Sequence, residues 1–279
     1  MFIGSPATPN PVAAVDPPRH PFMAPNGRSN LHVDAYQTDV HQGPGTLGRD
    51  MSRTETFLEG DCASVTFDSR GRIVTVCVGL EGPKLLMLDA TTLETLAAFP
   101  LPPRLPGGGN PFNDFAGGGY FYLDNQDRAV IPTTSRHLYV VREEGTGFAL
   151  DRDYDLTTAL LPGDKVVSAL PDWGGRYWFV SQQGAVGVVD PASGLVRALP
   201  LREPITNSFA VDETGGIYLV TDVAAYRMDL GASGFPVVTW REVYENSGIA
   251  KPGEVGRAPA PRRPCSAATS WPSPTTPIP

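Results

Sequence analysis

Four times along this chain an apolar, β-branched run meets a short turn built on Asp, and a second apolar run follows. The turns are Asp68-Ser69-Arg70-Gly71, Asp124-Asn125-Gln126-Asp127, Asp172-Trp173-Gly174-Gly175 and Asp212-Glu213-Thr214-Gly215. An Asp side chain accepts hydrogen bonds from its own turn, and Gly takes the positive φ that a tight hairpin demands. The turn aspartates are 56, 48 and 40 residues apart (68→124→172→212) and average 48. Propeller blades repeat at about 40 to 50 residues.

The strands around each turn are short. In the first unit they fall at 63–67, 72–78, 84–89 and 95–99, and four such strands joined by tight turns make one blade. Further units follow at 112–156, 165–201 and 205–244. No long amphipathic helix is present; the best candidate, 156–161, is short and ends at Pro162. The predicted fold class is therefore all-β, a β-propeller with about four four-stranded blades of a six- or seven-bladed ring. Residues 1–50 are expected to be a Pro-rich disordered arm and lead-in, 51–250 the incomplete propeller, and 251–279 a disordered Pro/Ala/Arg-rich tail.

That tail does not suit the fold. No acidic residue follows Glu254, and with only three Lys against 19 Arg the coding sequence looks GC-rich. Read in the frame that takes one base from each codon and two from the next, 258–279 can give AGTTPTLLGRDLVAITDNADP, a strand, a turn and a strand. A frameshift that replaced a fifth blade is the reading; a genuine disordered tail is the alternative. Four blades without further partners would leave apolar sheet faces open to water, so a marginal or insoluble product is expected.

A net charge of −8 argues against nucleic acid, since a phosphate binder needs a basic face. No apolar run reaches the length of a membrane helix. No charged start or apolar central segment follows Met1-Phe2-Ile3, so no secretory leader is read. The chain as it stands reads as cytoplasmic, or as exported if its N-terminus is incomplete. Cys62, Cys77 and Cys265 form no C-x-x-C. Cys62 and Cys77 on neighbouring strands are read as buried thiols that serve as small hydrophobes, with pairing as the alternative.

Possible chemistry concentrates in two places. In 32–41, His32, Asp34 and Tyr36 would share one face of an extended strand, with Asp39 and His41 a second pair. Imidazole with carboxylate suits zinc or another transition metal. The spacing matches no known metal motif, and the plainer reading is a polar lead-in that crosses the mouth of the ring. The second place is the entry to each blade. Ser64, Ser168 and Ser208 each stand four residues before a turn Asp, and Asp114 is taken as their counterpart in the second unit. Asp61, Asn113 and Asn207 flank them. Oxygens converging there would suit a hard cation such as Ca2+; the alternative is polar satisfaction of strand ends.

Other motifs are set aside. Asp151-Arg152-Asp153-Tyr154-Asp155 lacks the Gly and late Glu of an EF-hand and reads as a charged edge strand. The G-x-G-x-x-G letters at 43–48 contain Pro44 and lack a preceding strand and a following helix. His137, beside Tyr139, reads as packed.

The segment Asn207-Ser208-Phe209-Ala210-Val211-Asp212-Glu213-Thr214-Gly215-Gly216-Ile217-Tyr218-Leu219-Val220-Thr221-Asp222 resembles blade openings in the SMP-30/gluconolactonase-like and NHL-type propellers. In those families an Asn or Asp before such a strand can bind a divalent metal on the axis. The resemblance implies Asn113 and Asn207 as metal ligands, with Asp222 as a further one. No early Glu ligand can be assigned, and the blade that should supply later ligands is missing. Residues 30–255 also resemble a group of bacterial propeller proteins known mainly as uncharacterised sequences.

The leading expectation is a module that binds a small molecule or a protein at the propeller mouth. The alternative is a metal-dependent lactonase-like hydrolase that uses Ca2+ or another divalent cation to polarise an ester carbonyl, with Asp61 or Asp114 as base. A quinone-cofactor oxidoreductase is a second alternative, for which the sequence shows no cofactor cage.

Overall fold

The computed structural model describes residues 16–41, 52–58, 60–104 and 116–245. The described residues contain no helix, and their strands form four separate four-stranded antiparallel sheets. Sheet I is β1 (Gly60–Phe67), β2 (Ile73–Gly79), β3 (Gly82–Leu88) and β4 (Thr95–Pro100). Sheet II is β5 (Tyr122–Leu123), β6 (Ala129–Pro132), β7 (His137–Glu144) and β8 (Gly147–Asp155). Sheet III is β9 (Val166–Pro171), β10 (Tyr177–Ser181), β11 (Ala185–Val189) and β12 (Val196–Pro200). Sheet IV is β13 (Ala210–Val211), β14 (Ile217–Val220), β15 (Ala224–Leu230) and β16 (Pro236–Val243). Within each sheet the strands lie in chain order, an up-and-down meander consistent with a propeller-like fold.

Each first hairpin is set by its Asp. Asp68, Asp124, Asp172 and Asp212 are all buried. In every turn Oδ1 accepts from the amides two and four residues on: Arg70 and Arg72, Gln126 and Arg128, Gly174 and Arg176, Thr214 and Gly216, all at 2.8–3.1 Å. Oδ2 faces the strand that follows. It accepts from Arg72 Nε at 2.6 Å and Arg128 Nε at 2.7 Å in sheets I and II. In sheets III and IV it accepts from Trp178 Nε1 at 3.1 Å and from the Tyr218 hydroxyl at 2.9 Å. The fourth turn residue is left-handed, as Gly71, Asp127, Gly175 and Gly215. Asp127 fills that place without the freedom of glycine, as Asp tolerates.

The sheets pack in sequence. β4 lies against β8, β6 and β7 lie against β9, and β11 and β12 lie against β16. Val74, Val76, Leu85 and Phe99 of sheet I meet Phe121, Leu123, Ile131 and Val141 of sheet II in one apolar cluster. A larger cluster joins sheets II, III and IV around the fully buried Trp178, Phe179 and Phe209. Burial of Val, Leu, Ile or Phe side chains stabilises by roughly 1.5–3 kcal/mol each, which is what holds such small sheets face to face.

One expectation changes. Cys62 and Cys77 are joined in a disulfide rather than standing as thiols. The register explains it: pairing slips between Asp61–Val78 and Ser64–Val76, so a bulge sets Cys62 and Ala63 opposite Cys77. Over 16–41 the Pro-rich lead-in is a strap packed on the sheets, with Ser29, Asn30, Val33, Asp34, Ala35, Tyr36 and Gln37 all buried. The G-x-G-x-x-G letters at 43–48 and the tail at 251–279 lie outside the described residues.

Candidate functional site

The strap visits all four Asp turns. The Arg28 carbonyl accepts from Phe67 N at 3.3 Å, and its guanidinium donates to the Asp68 carbonyl at 2.9 Å. Beside sheet II, Met23 bridges to Asp124 and Asn30 to Tyr122; Ala24 donates to the Leu123 carbonyl at 2.9 Å, and Leu123 donates to the Ser29 carbonyl at 2.7 Å. On sheet III, Trp173 is met edge-on by His20 at 4.0 Å and by Tyr36 at 5.8 Å between ring centroids. On sheet IV, Val211 donates to the Ala35 carbonyl at 2.8 Å and the Tyr36 hydroxyl donates to Glu213. A proline-rich segment with no periodicity is thus ordered by hydrogen bonds to the first strands of the sheets. Burial lowers the His20 pKa to about 4, against the opposing charge of Asp172 and the Pro171 carbonyl.

The middle of the strap is a closed loop. The Asp34 carboxylate caps it, accepting from the amides of Tyr36 at 2.9 Å and Thr38 at 3.3 Å and from the Thr38 hydroxyl. Burial raises the Asp34 pKa, and those bonds oppose the rise. The His32 carbonyl accepts from both Asp34 N at 2.9 Å and Asp39 N at 3.3 Å. Val33, Gln37 and Asp39 hold φ of 79°, 57° and 55°. A β-branched residue at positive φ is a strained exception, and such strain gathers at binding and catalytic loops.

This loop presents His32 and Asp39 as a pair, with Nδ1 2.8 Å from Oδ1 and both side chains partly exposed. The His32 ring stacks on Tyr120 with centroids 5.8 Å apart and an interplanar angle of 23°. The Tyr120 hydroxyl donates to Asn207 Oδ1 at 3.3 Å. Tyr120 also bridges in parallel to Ser168, whose hydroxyl lies 2.8 Å from that of Ser208. One polar group therefore runs from the strap across the starts of sheets II, III and IV. In the tautomer that donates Nδ1–H to the Asp39 carboxylate, the Nε2 lone pair can accept a hydrogen bond.

The residues expected from sequence divide as follows. Asn207 lies in this group. Ser64, Ser168 and Ser208 are buried at equivalent places, and the Ser64 hydroxyl donates to the Gly119 carbonyl. In sheet II the place four residues before the turn belongs to Tyr120, not Asp114; Asp114 and Asn113 lie outside the described residues. The same count from Asp124 would have found Tyr120 in the sequence. Asp222 sits in the β14–β15 turn, its amide donating to the Pro204 carbonyl at 3.1 Å, beside the segment that leads to Asn207. Asp61 is exposed at the β1 bulge and does not join the group. His32, Asp34 and Tyr36 do not form one ligand face: Asp34 caps the loop and Tyr36 turns to Glu213. Among the described residues no group of three or more His, Cys, Asp or Glu is placed to hold a metal ion. His137 pairs with Asp153 at 2.6 Å across β7 and β8.

No known protein family matches the chain. An uncharacterized protein of Archaeoglobus fulgidus is 35% identical over 101 residues, which is 34% of this chain and 20% of that protein. The chain thus matches only a fifth of that relative's length. A protein of unknown function from Bacteroides caccae is similar in structure at 11% identity and a TM-score of 0.40, over 64% of this chain and 66% of that one. The extracellular domain of a candidate one-component system from B. thetaiotaomicron aligns at 14% identity and a TM-score of 0.42, over 62% of this chain and 23% of that one. No described helix is long and apolar enough to cross a membrane.

Proposed function

We propose that this chain is a propeller-type binding module for a small polar ligand, bound where the strap meets the first strands of sheets II to IV. The carrying observation is the His32–Asp39 pair, stacked on Tyr120 and linked through it to Asn207. The strained loop that holds the pair favours recognition over a purely structural role. His32 Nε2 would accept a hydrogen bond from a ligand hydroxyl, and the Asn207 amide would fix its orientation. Asp222 is proposed as a neighbouring contact. The disulfide favours an oxidising compartment, and with it export of the mature protein. The out-of-frame origin of the tail remains part of this reading; genomic sequence beyond the codon for Val255 tests it, and a downstream frame with no strand-and-turn pattern rejects it.

The experiment for the site is a ligand-observed NMR screen of small polyols and hydroxy acids, with calorimetry against Ca2+. Binding that is lost in both His32→Ala and Asn207→Ala, each folded by circular dichroism, supports the module. Binding unchanged in both rejects the site. Ca2+-dependent lactone hydrolysis that is lost in Asn207→Ala would replace the module with the hydrolase.

A further inference from the structure

The N-terminal arm of the strap, residues 17–24, is seated on sheets II and III around one histidine. His20 is 1% exposed. Its Nδ1 accepts from the Phe22 amide at 3.1 Å, and its ring meets Trp173 edge-on with centroids 4.0 Å apart. The arm closes over it. The Pro17 carbonyl accepts from Asn26 Nδ2 at 2.9 Å, and the Pro21 carbonyl accepts from Asn125 Nδ2 of the sheet II turn at 2.8 Å. The Phe22 ring lies on Gly175 of the sheet III turn, where an added Cβ would stand 2.9 Å from it. A backbone N–H only donates, so Nδ1 carries no proton and the neutral ring holds its proton on Nε2. Nε2 is buried and has no hydrogen-bond partner.

This seat fits a neutral imidazole and rejects a charged one. A second proton would go to Nδ1, and two N–H donors would then face each other across 3.1 Å. The new Nδ1–H would have no acceptor where it points, and a buried charge so placed is costly. The Asp172 charge and the Pro171 carbonyl are near enough to favour the proton. The Asp172 oxygens, however, are already engaged by Gly174 N, Arg176 N and Trp178 Nε1, and Arg176 pairs with them at 3.4 Å. On sheet II, Met23 of the arm bridges to Asp124, whose carboxylate is paired with Arg128 at 2.7 Å. On the sheet IV side Glu213 accepts from Tyr36, the other ring that packs on Trp173. Asp16 and Arg19, beside His20 in the chain, are exposed. Burial outweighs Asp172, and the His20 pKa falls to about 4.

We propose that His20 is an acid-sensitive latch: uptake of one proton by its imidazole lifts residues 17–24 off sheets II and III while the sheets stay folded. Once released, the ring enters water, where both N–H groups find acceptors and its ordinary pKa of 6.5 returns. The docked arm is favoured fully above pH 6.5 and loses ground as the pH falls toward 4. The opening equilibrium rises about tenfold per pH unit at its steepest, and about twentyfold from pH 7 to pH 5. The middle of the strap responds in the opposite sense. Burial holds the Asp34 pKa up, against its bonds from Thr38 and Tyr36, so its loop gains stability as the pH falls. The arm therefore leaves and the loop at 32–39 stays. The latch rests on the seat of His20, and not on the ligand site.

The test is hydrogen exchange read by mass spectrometry on the 279-residue chain at pH 7, 6 and 5, with the intrinsic exchange rates divided out. The wild type is expected to lose about twentyfold of its protection over 20–24 between pH 7 and pH 5, with 32–39 and β9 to β11 no less protected. His20→Asn keeps an acceptor near the place of Nδ1 but takes up no proton, so its protection should not change over that range. His20→Phe keeps the ring packing and serves if His20→Asn does not dock. Should neither variant dock at pH 7, the wild-type slope decides: a single proton gives a loss of at most about tenfold per pH unit, beginning near pH 6.5. Unchanged protection of 20–24 in the wild type overturns the proposal. So does an equal loss in a docked variant, a slope steeper than one proton, or loss from the sheets at the same pH. None of these outcomes bears on ligand binding at pH 7, which is measured separately.

Discussion

Removal of the Asp172 carboxylate probes the device on which all four sheets are built. Asp172 is 3% exposed and accepts from Gly174 N at 2.8 Å, Arg176 N at 3.0 Å and Trp178 Nε1 at 3.1 Å. In Asp172→Ala these three donors lose their acceptor in a site largely closed to water. A buried donor left unmade costs about 1–3 kcal/mol. Water entering the space of the lost carboxylate recovers part of this, so we expect a loss of about 3–5 kcal/mol. That is a large share of a total stability of roughly 5–15 kcal/mol. Asp172→Asn keeps an oxygen for the two backbone amides but turns an NH2 toward Trp178 Nε1–H, and should cost about 1–2 kcal/mol. Asp190 is the control: it accepts from Ala192 N and Ser193 N, both at 2.9 Å, in an exposed turn. Water replaces its carboxylate, so Asp190→Ala should cost far less than Asp172→Ala. Urea denaturation in dilute protein measures all three through the midpoint at constant slope. Equal losses in Asp172→Ala and Asp190→Ala would refute the reasoning.

Three further outcomes follow from the same structure. Reduction of Cys62–Cys77, or Cys62→Ala with Cys77→Ala, opens a link across 15 residues and should remove about 3 kcal/mol, seen as a lower melting temperature with reductant. His20 has a folded pKa of about 4 against 6.5 unfolded, so the unfolded chain binds the extra proton between those values. The stability contributed by neutral His20 is fully present above pH 6.5 and is lost as pH falls toward 4, on the order of 3 kcal/mol in all, and that slope should be absent in His20→Phe. At Gly187 an added Cβ would stand 2.1 Å from the Phe179 ring, so Gly187→Ala should destabilise by at least ~2 kcal/mol in urea titration.

The sheets were legible in the sequence because their signals are local. Alternation of period two marks a half-buried strand, and an Asp followed by Gly at the fourth place marks the hairpin. The strands expected at 84–89 and 95–99 lie within a residue or two of β3 and β4. The strap was not legible, since Pro-rich sequence without periodicity gives no local cue. Its order comes from distant partners such as Leu123 and Val211, and from the Asp34 cap. The disulfide was hidden for a related reason. Cys77 meets Cys62 only because the ladder slips by a residue, and hydrophobic pattern does not report a bulge. Asn207, singled out from the blade opening, accepts a hydrogen bond from the Tyr120 hydroxyl. His32 and Asp39 were noted, but an extended strand would place them on opposite faces, and only the left-handed turns at Val33, Gln37 and Asp39 bring them together. Tyr120 was passed over because a polar oxygen donor was sought where an aromatic stands.

Hydrogen exchange read by mass spectrometry tests most directly whether the strap is part of the folded sheets and so builds the site. Amides of Ala24 and Gly27 in the strap, and of Leu123 and Val211 on the strands it pairs with, all donate hydrogen bonds at 2.7–2.9 Å. Peptides covering 22–37 should therefore exchange at least about a hundredfold more slowly than a free chain, alongside β5 and β13. Exchange of 22–37 at the rate of an unstructured peptide, with the sheets still protected, would contradict the account.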